Sequence, residues 1–142
     1  MNKITIEAII KAPMEKVWAF YNQPEHITKW AFASNDWEAP SAENDLRERG
    51  KFKTRMQAKN GSAGFDFEGI YAVVKDPSTS SGQGLIEYDM SDGRHVKTEF
   101  VQVPEGVKVT VTFDPENQNS EEVQRKGWQA ILDNFKKHTE SN

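Results

Sequence analysis

The chain has 142 residues, no cysteine, and a net charge of −4 from 18 basic and 22 acidic side chains. The missing thiols exclude disulfides, thiolate nucleophiles and thiolate metal sites, and the acidic balance argues against nucleic acid as a partner. No basic block is longer than Lys136-Lys137, no apolar run approaches the ~20 residues of a membrane span, and no signal-peptide apolar region opens the chain. The expectation is therefore one cytoplasmic domain over residues 1–142, without a membrane partner, large enough to bury about two-thirds of its unfolded surface.

The first element is an alternating strand, Ile4 to Ile10. Pro13 then opens a helix, because a proline at the start removes an N–H that has no intrahelical partner. Met14, Val17, Trp18 and Tyr21 recur at i, i+3, i+4 and i+7, which is one helical face. Pro24 stops that helix, and Ile27 with Trp30 gives a second short one an apolar side. Residues 31–40 carry Phe32 and Trp37 but no regular pattern, and Asp45-Leu46-Arg47 reads as a short strand.

From Gly50 the pattern is that of an antiparallel sheet. Phe52, Thr54, Met56 and Ala58 alternate with polar and cationic residues, and Asn60-Gly61 marks a hairpin, since both residues tolerate positive φ. The return strand, Gly64 to Lys75, places Phe65, Phe67, Gly69, Tyr71 and Val73 on one face. Residues 76–84, rich in serine and glycine, read as a mobile loop. Ile86, Tyr88 and Met90 alternate next. A turn at Ser91-Asp92-Gly93 leads to Val96, Thr98, Phe100 and Gln102, and Pro104-Glu105-Gly106 leads to Val107, Val109, Val111 and Phe113. Ser120 is an N-cap for a final helix with an acidic first turn. Its expected inner positions are Val123, Gly127, Ile131 and Phe135, with Trp128 and Leu132 beside them. A glycine inside a helix costs about 1 kcal/mol against alanine, so a close neighbour is expected at Gly127. The order is β-α-α, then antiparallel strands, then one long amphipathic helix that must cover the inner face of the sheet. That is an α+β protein.

Few constellations carry chemistry. Asp66/Glu68 and Glu87/Asp89 each share a strand face, but Phe65/Phe67 and Tyr88/Met90 claim the opposite, inner one. The carboxylates are expected outside, beside cross-strand partners such as Lys97. His26, His95 and His138 stand apart with no metal-ligand spacing, and His138 falls near a fraying terminus. No metal, cofactor or catalytic residue is assigned. Gly82-Gln83-Gly84 leads into a strand rather than a helix and fails as a phosphate cradle.

The aromatics are more informative. Eight Phe, four Trp and three Tyr hold much of an apolar share of only 36%, and a few large rings can line a space that small aliphatics would fill. The expected ligand-binding residues are Trp30, Phe32, Trp37, Met56, Phe65, Phe67, Tyr88, Met90, Phe100, Phe113, Trp128 and Leu132. Polar groups placed near the cavity by position are Arg47, Arg55, Tyr88 and His95. The opening strand with its two broken helices is suited to holding the sheet open.

Ala12-Pro13, Val17-Trp18, Pro24 and Trp30 are followed by Asn44-Asp45-Leu46-Arg47 and Gly50-Lys51-Phe52. Then come Gly64-Phe65-Asp66-Phe67-Glu68-Gly69, Asp92-Gly93-Arg94 and Gly127-Trp128 with Leu132. Over about Ile4 to Phe135 the chain resembles single-domain proteins related to the C-terminal domain of the Hsp90 ATPase activator. That family belongs to the START-like, birch-pollen-allergen-like (SRPBCC) superfamily. The resemblance implies a helix-grip fold, β-α-α-β6-α, with one curved antiparallel sheet wrapped around a long C-terminal helix and a cavity between them. It brings no catalytic residues. Two departures stand out: Arg49 replaces the first of two glycines usual before Lys51-Phe52, and the loop after Asp76-Pro77 is longer and richer in serine. The first functional expectation is non-enzymatic binding of a small hydrophobic or amphipathic ligand. The second is a cochaperone-like interaction with a chaperone, although the activators proper carry a further N-terminal domain that this sequence lacks. The third is a polyketide cyclase-like or hydrolase-like enzyme using the cavity.

Overall fold

A computed structural model describes residues 3–79 and 82–142, so Ser80 and Ser81 of the serine-rich loop lie outside the described residues. The elements run β1 (Ile4–Ile10), α1 (Met14–Asn22), α2 (Pro24–Trp30), β2 (Trp37–Asn44), β3 (Lys51–Ala58), β4 (Gly64–Lys75), β5 (Gly84–Met90), β6 (His95–Val103), β7 (Gly106–Phe113) and α3 (Glu121–Ser141). All seven strands form one antiparallel sheet in the order β1-β7-β6-β5-β4-β3-β2. Together with the long α3 this is the helix-grip arrangement. Each hairpin pairs neighbours in sequence, the connection through α1 and α2 carries the chain from β1 at one edge to β2 at the other, and β7 returns beside β1.

Alternation sets the inner face. On β3 the buried residues are Phe52, Thr54, Met56 and Ala58; on β6 they are Val96, Thr98 and Phe100; on β7 they are Val107, Val109, Val111 and Phe113. β4 breaks the period. Its register against β5 shifts between Tyr71 and Val73, so Val74, not Val73, pairs with Ile86 and packs on the core. One extra residue in a strand moves every later side chain to the opposite face, as a β-bulge does.

Two other expectations change. Residues 37–40, the end of the stretch read as irregular, form β2 together with residues 41–44, with a register shift between Glu38 and Ser41 that accommodates Pro40 at the sheet edge. Asp45-Leu46-Arg47 is then a turn and not a strand. Arg49 in this turn has φ 69° and is the one non-glycine residue with positive φ among those described. It occupies the left-handed position that a glycine would take without strain, and its N–H donates to Tyr71 O at 2.8 Å, which ties the turn to β4.

The helices start where the chain chemistry allows. Pro24 is the first residue of α2, and Pro13 stands one place ahead of α1, at its N-cap. Ser120 Oγ accepts from Val123 N at 3.2 Å and caps α3. α3 lies along β1, the edge strand, whose outward backbone groups would otherwise be open. Arg125 Nη1 donates to Thr5 O at 2.7 Å, Gln129 Nε2 to Glu7 O at 3.2 Å, and Lys136 Nζ to Ile9 O at 2.6 Å, while Lys11 N donates to Glu140 at 2.8 Å. Tyr21, Trp30 and Phe135 interlock beneath the helix with ring centroids 5.1–5.2 Å apart. The buried positions of α3 are Gln124, Leu132, Phe135 and Thr139, with Trp128 and Ile131 packed against the core. The inner stripe is therefore rotated from the expected one, and Val123 is 57% exposed.

Gly127 also differs from expectation, because a Cβ built there meets nothing within 4 Å. At Gly69 a Cβ would come within 2.5 Å of the Asp89 carbonyl oxygen and 2.9 Å of the Phe52 ring. The two glycines should respond to alanine with opposite signs. Gly127→Ala is expected to stabilise by about 0.5–1 kcal/mol through helix propensity. Gly69→Ala should destabilise by about 1–3 kcal/mol through overpacking. Urea denaturation of the two variants beside the parent checks both.

Candidate functional site

Between the sheet and α3 lies a cavity of about 230 Å³. Its walls come from β1 (Ile6), α2 (Ile27, Trp30), β3 (Phe52, Met56), β5 (Ile86, Tyr88), β7 (Val111) and α3 (Trp128, Ile131, Leu132), with Phe65 and Phe67 at one end of β4. Phe65 lines the cavity and is also 49% exposed, so this end reaches solvent. The space persists because neighbouring rings are already committed to one another. Trp128 stacks on Phe113 with centroids 3.9 Å apart and planes 10° from parallel, and it meets the Phe67 edge at 5.9 Å. Trp18 sits edge-on to Phe100 at 5.2 Å. A ring held in a stack or T-contact is not free to swing into adjacent space.

Of the twelve expected ligand-binding residues, the structure brings seven to the cavity wall: Trp30, Met56, Phe65, Phe67, Tyr88, Trp128 and Leu132. It places the other five elsewhere. Phe100 and Phe113 are fully buried behind the wall as core. Phe32, Trp37 and Met90 are partly buried packing residues, Trp37 with its ring 6.1 Å from that of Phe65. The period-2 rule gives the face of a strand residue, but it does not separate core positions from cavity positions on that face.

The expected polar set needs more correction. Arg47 is exposed and bonded to Asp45, and Arg55 turns outward to Gln57 and Asp66. His95 also faces outward, because it stands opposite Asp89 while its neighbour Val96 takes the inner position. Of the four, Tyr88 alone lines the cavity. The structure adds Arg94, Asn22, Glu43, Asn44, Thr54, Tyr21 and Tyr71. Tyr71 and Tyr88 are directly opposite across β4 and β5, with rings perpendicular and centroids 6.2 Å apart. Tyr71 donates to Asn44 Oδ1, and Asn44 Nδ2 donates to Asn22 O at 2.7 Å, which moors that hydroxyl to the end of α1.

Burial raises the pKa of all three phenols above the ordinary tyrosine value. Tyr21 adds to the rise at Tyr71 and Tyr88, while Thr98 opposes it at Tyr21, Asn44 at Tyr71 and Arg94 at Tyr88. Thr98 Oγ1 is buried without a hydrogen bond that meets full geometry. The phenols are neutral donors at ordinary pH. Glu43 is the one carboxylate among the described lining residues, and it is exposed on β2.

Comparison with known proteins places the chain. The family model described as activator of Hsp90 ATPase homolog 1-like protein matches residues 11–140. The chain belongs to that family. An NMR structure of the AHSA1-like protein from Aeromonas hydrophila is 41% identical, with a TM-score of 0.88 over 99% of this chain and 93% of that one. The solution structure of Chr148 from Cytophaga hutchinsonii is 46% identical, with a TM-score of 0.82 over 100% and 94%. The crystal structure of NE0264 from Nitrosomonas europaea, 18% identical with a TM-score of 0.77 over 98% and 94%, shares the fold. No protein of curated function matches the chain.

Outside the cavity of this family member, the titratable groups cluster in two places that sequence spacing does not show. His95 bridges Asp89 (Nδ1 to Oδ1, 2.8 Å) and Glu87 (Nε2 to Oε1, 2.9 Å) on the outer face. These bonds raise its pKa above the ordinary histidine value, Asp89 contributing most. His26 Nδ1 lies 3.0 Å from His138 Nε2, and the His26 ring stacks on Phe20 at 3.7 Å. His138 is therefore fixed within α3 and not frayed. Burial lowers its pKa, helped by His26, Lys29 and Lys16. Among the described residues no group of three or more His, Cys, Asp or Glu could hold a metal, and no helix is long and apolar enough to cross a membrane.

The two histidines link folding to pH with opposite sign. The raised pKa of His95 gives a contribution fully present below its unfolded value of about 6.5 and lost as pH rises through the folded one. The lowered pKa of His138 gives a contribution present above about 6.5 and lost as pH falls through the folded one. His95→Gln should accordingly lose more stability in mildly acidic than in mildly alkaline buffer, and His138→Gln the reverse. Denaturation midpoints across that range test this, and parallel profiles for the two variants would refute it.

Proposed function

We propose that this protein binds a small hydrophobic or amphipathic molecule in the cavity between the sheet and α3. The observation that carries this reading is a space of about 230 Å³ walled by aliphatic and aromatic side chains and dotted with a few hydroxyl, amide and guanidinium groups. Concave, mostly apolar sites with a small number of placed polar groups are the general form of small-molecule sites. Taking about 30 Å³ for a water-sized group, the cavity accommodates about eight such groups, which suits a compact ligand or one that extends past Phe65 into solvent. An exposed Glu43 as the lining carboxylate favours binding over acid–base chemistry, which needs a positioned group of tuned pKa.

A chaperone partner is the second reading. It is favoured by the family description and by Ile70, 48% exposed on the outer face of β4. Retention on an immobilised Hsp90-type chaperone would support it, and no retention at micromolar concentration would remove it.

The binding reading is tested with a panel of apolar and amphipathic small molecules. Native mass spectrometry reads stoichiometry, and amide shift mapping reads location. At least one class should bind one-to-one and perturb Trp30, Phe67 and Trp128 together, with a matching change in tryptophan fluorescence. A panel that leaves all three unperturbed overturns the reading.

A further inference from the structure

Resting on the binding reading above, we infer that the ligand is an amphiphile with a carboxylate head, bound by Arg94 and Tyr88, and an apolar tail directed toward Trp30 and Leu132. Four observations lead there. First, Arg94 lines the cavity from the β5–β6 turn and is pre-oriented. Its backbone N–H donates to Asp92 Oδ1 at 3.1 Å and its Nε to Asp92 Oδ2 at 2.9 Å. Its side chain is only 21% exposed, and among the described residues its two terminal nitrogens make no hydrogen bond. A guanidinium held by Nε keeps a pair of coplanar N–H donors for a second acceptor, the geometry that matches a carboxylate.

Second, the Tyr88 side chain is 9% exposed and lines the same cavity, and its hydroxyl makes no hydrogen bond among the described residues. A phenol hydroxyl at the cavity wall with no protein partner keeps its O–H donor for a ligand oxygen. Tyr88 lies on β5, two residues before that strand ends, and Arg94 lies in the turn that follows, so both donors line the cavity from the β5–β6 hairpin. Third, Glu43, the one carboxylate among the described lining residues, is exposed on β2, three strands from β5 in the sheet order. An anion is thus favoured at the β5–β6 end and disfavoured at the β2 end. Fourth, the wall between these ends (Trp30, Met56, Ile86, Leu132) is apolar, as a hydrocarbon tail requires.

Octanoate, octanol and octylamine share one chain length near the capacity of the cavity and differ in the head group. Titrated into the intact protein and followed by tryptophan fluorescence and amide shifts, octanoate should bind about tenfold or more tightly than octanol, consistent with hydrogen bonds to a charged group, and octylamine most weakly. Arg94→Gln should lower octanoate affinity about tenfold, to that of octanol for the same variant. Tyr88→Phe should reduce it severalfold, and this variant retains the ring that packs against Phe52. A dispersed native-like spectrum of each variant establishes that it is folded. If octanoate and octanol bind the parent equally, or octylamine binds best, or both variants keep the full preference, the carboxylate inference fails while cavity binding stands. If none of the three compounds and nothing in the wider panel enters, the binding reading itself fails.

Discussion

The structure depends first on how α3 is fastened to β1. An edge strand leaves a row of backbone groups unpaired, and here long polar side chains of a helix occupy that row. Arg125, Gln129 and Lys136 donate to alternate carbonyls of β1, and Glu140 accepts the Lys11 N–H just beyond it. These bonds fix the helix in position and rotation along one margin of the sheet. The other anchor is the ring cluster of Tyr21, Trp30 and Phe135, where α1, α2 and α3 meet. A rigid rod held at an edge and at one end cannot settle onto the middle strands of a curled sheet. The cavity follows from that geometry and not from a shortage of apolar residues.

Given such a frame, the chemistry inside follows from what each polar group has left over. On the outer face charges are spent on one another: His95 on Asp89 and Glu87, Arg55 on Asp66, Lys3 on Asp114. Exposed pairs of this kind contribute little to stability, but they keep the outer surface solvated. On the inner face the balance differs. Tyr71 is spent on Asn44, whereas Tyr88 and the terminal nitrogens of Arg94 are not. A pre-oriented donor with spare capacity is where binding energy can be gained without reorganising the protein.

Much of the architecture was legible in the chain. Period-2 alternation located β1 and β3 to β7, Asn60-Gly61 located a hairpin, and two prolines located the helix starts. What stayed hidden had specific physical causes. β2 reads Trp-Glu-Ala-Pro-Ser-Ala-Glu-Asn and is an edge strand, so only one side of it is paired and few of its side chains are buried. The bulge after Tyr71 moved Val74 inward in place of Val73, and local sequence carries no mark of it. On α3 the apolar residues alone suggested a stripe through Val123 and Gly127. The true inner face includes Gln124, whose amide is buried because it bonds Glu116 and Asn119 backbone atoms at the start of the helix. The His26–His138 pair joins residues 112 apart in sequence, beyond the reach of any spacing rule.

The candidate site was half legible for a reason that applies to any curled sheet. Seven rings and aliphatic residues on the cavity wall could be found because apolar alternation marks an inner face. Arg94 could not, because charge at the end of a strand gives no sign of which way it turns. Its direction is decided by Asp92, two residues earlier, whose carboxylate takes both the backbone N–H and the Nε of Arg94. Gly93, at φ 93°, adopts the left-handed conformation between them. The adjacent His95, already in the ladder opposite Asp89, is committed to the outer face. Arg94 and the adjacent His95 are thus sorted to opposite sides of the sheet by where the turn stops and the strand begins.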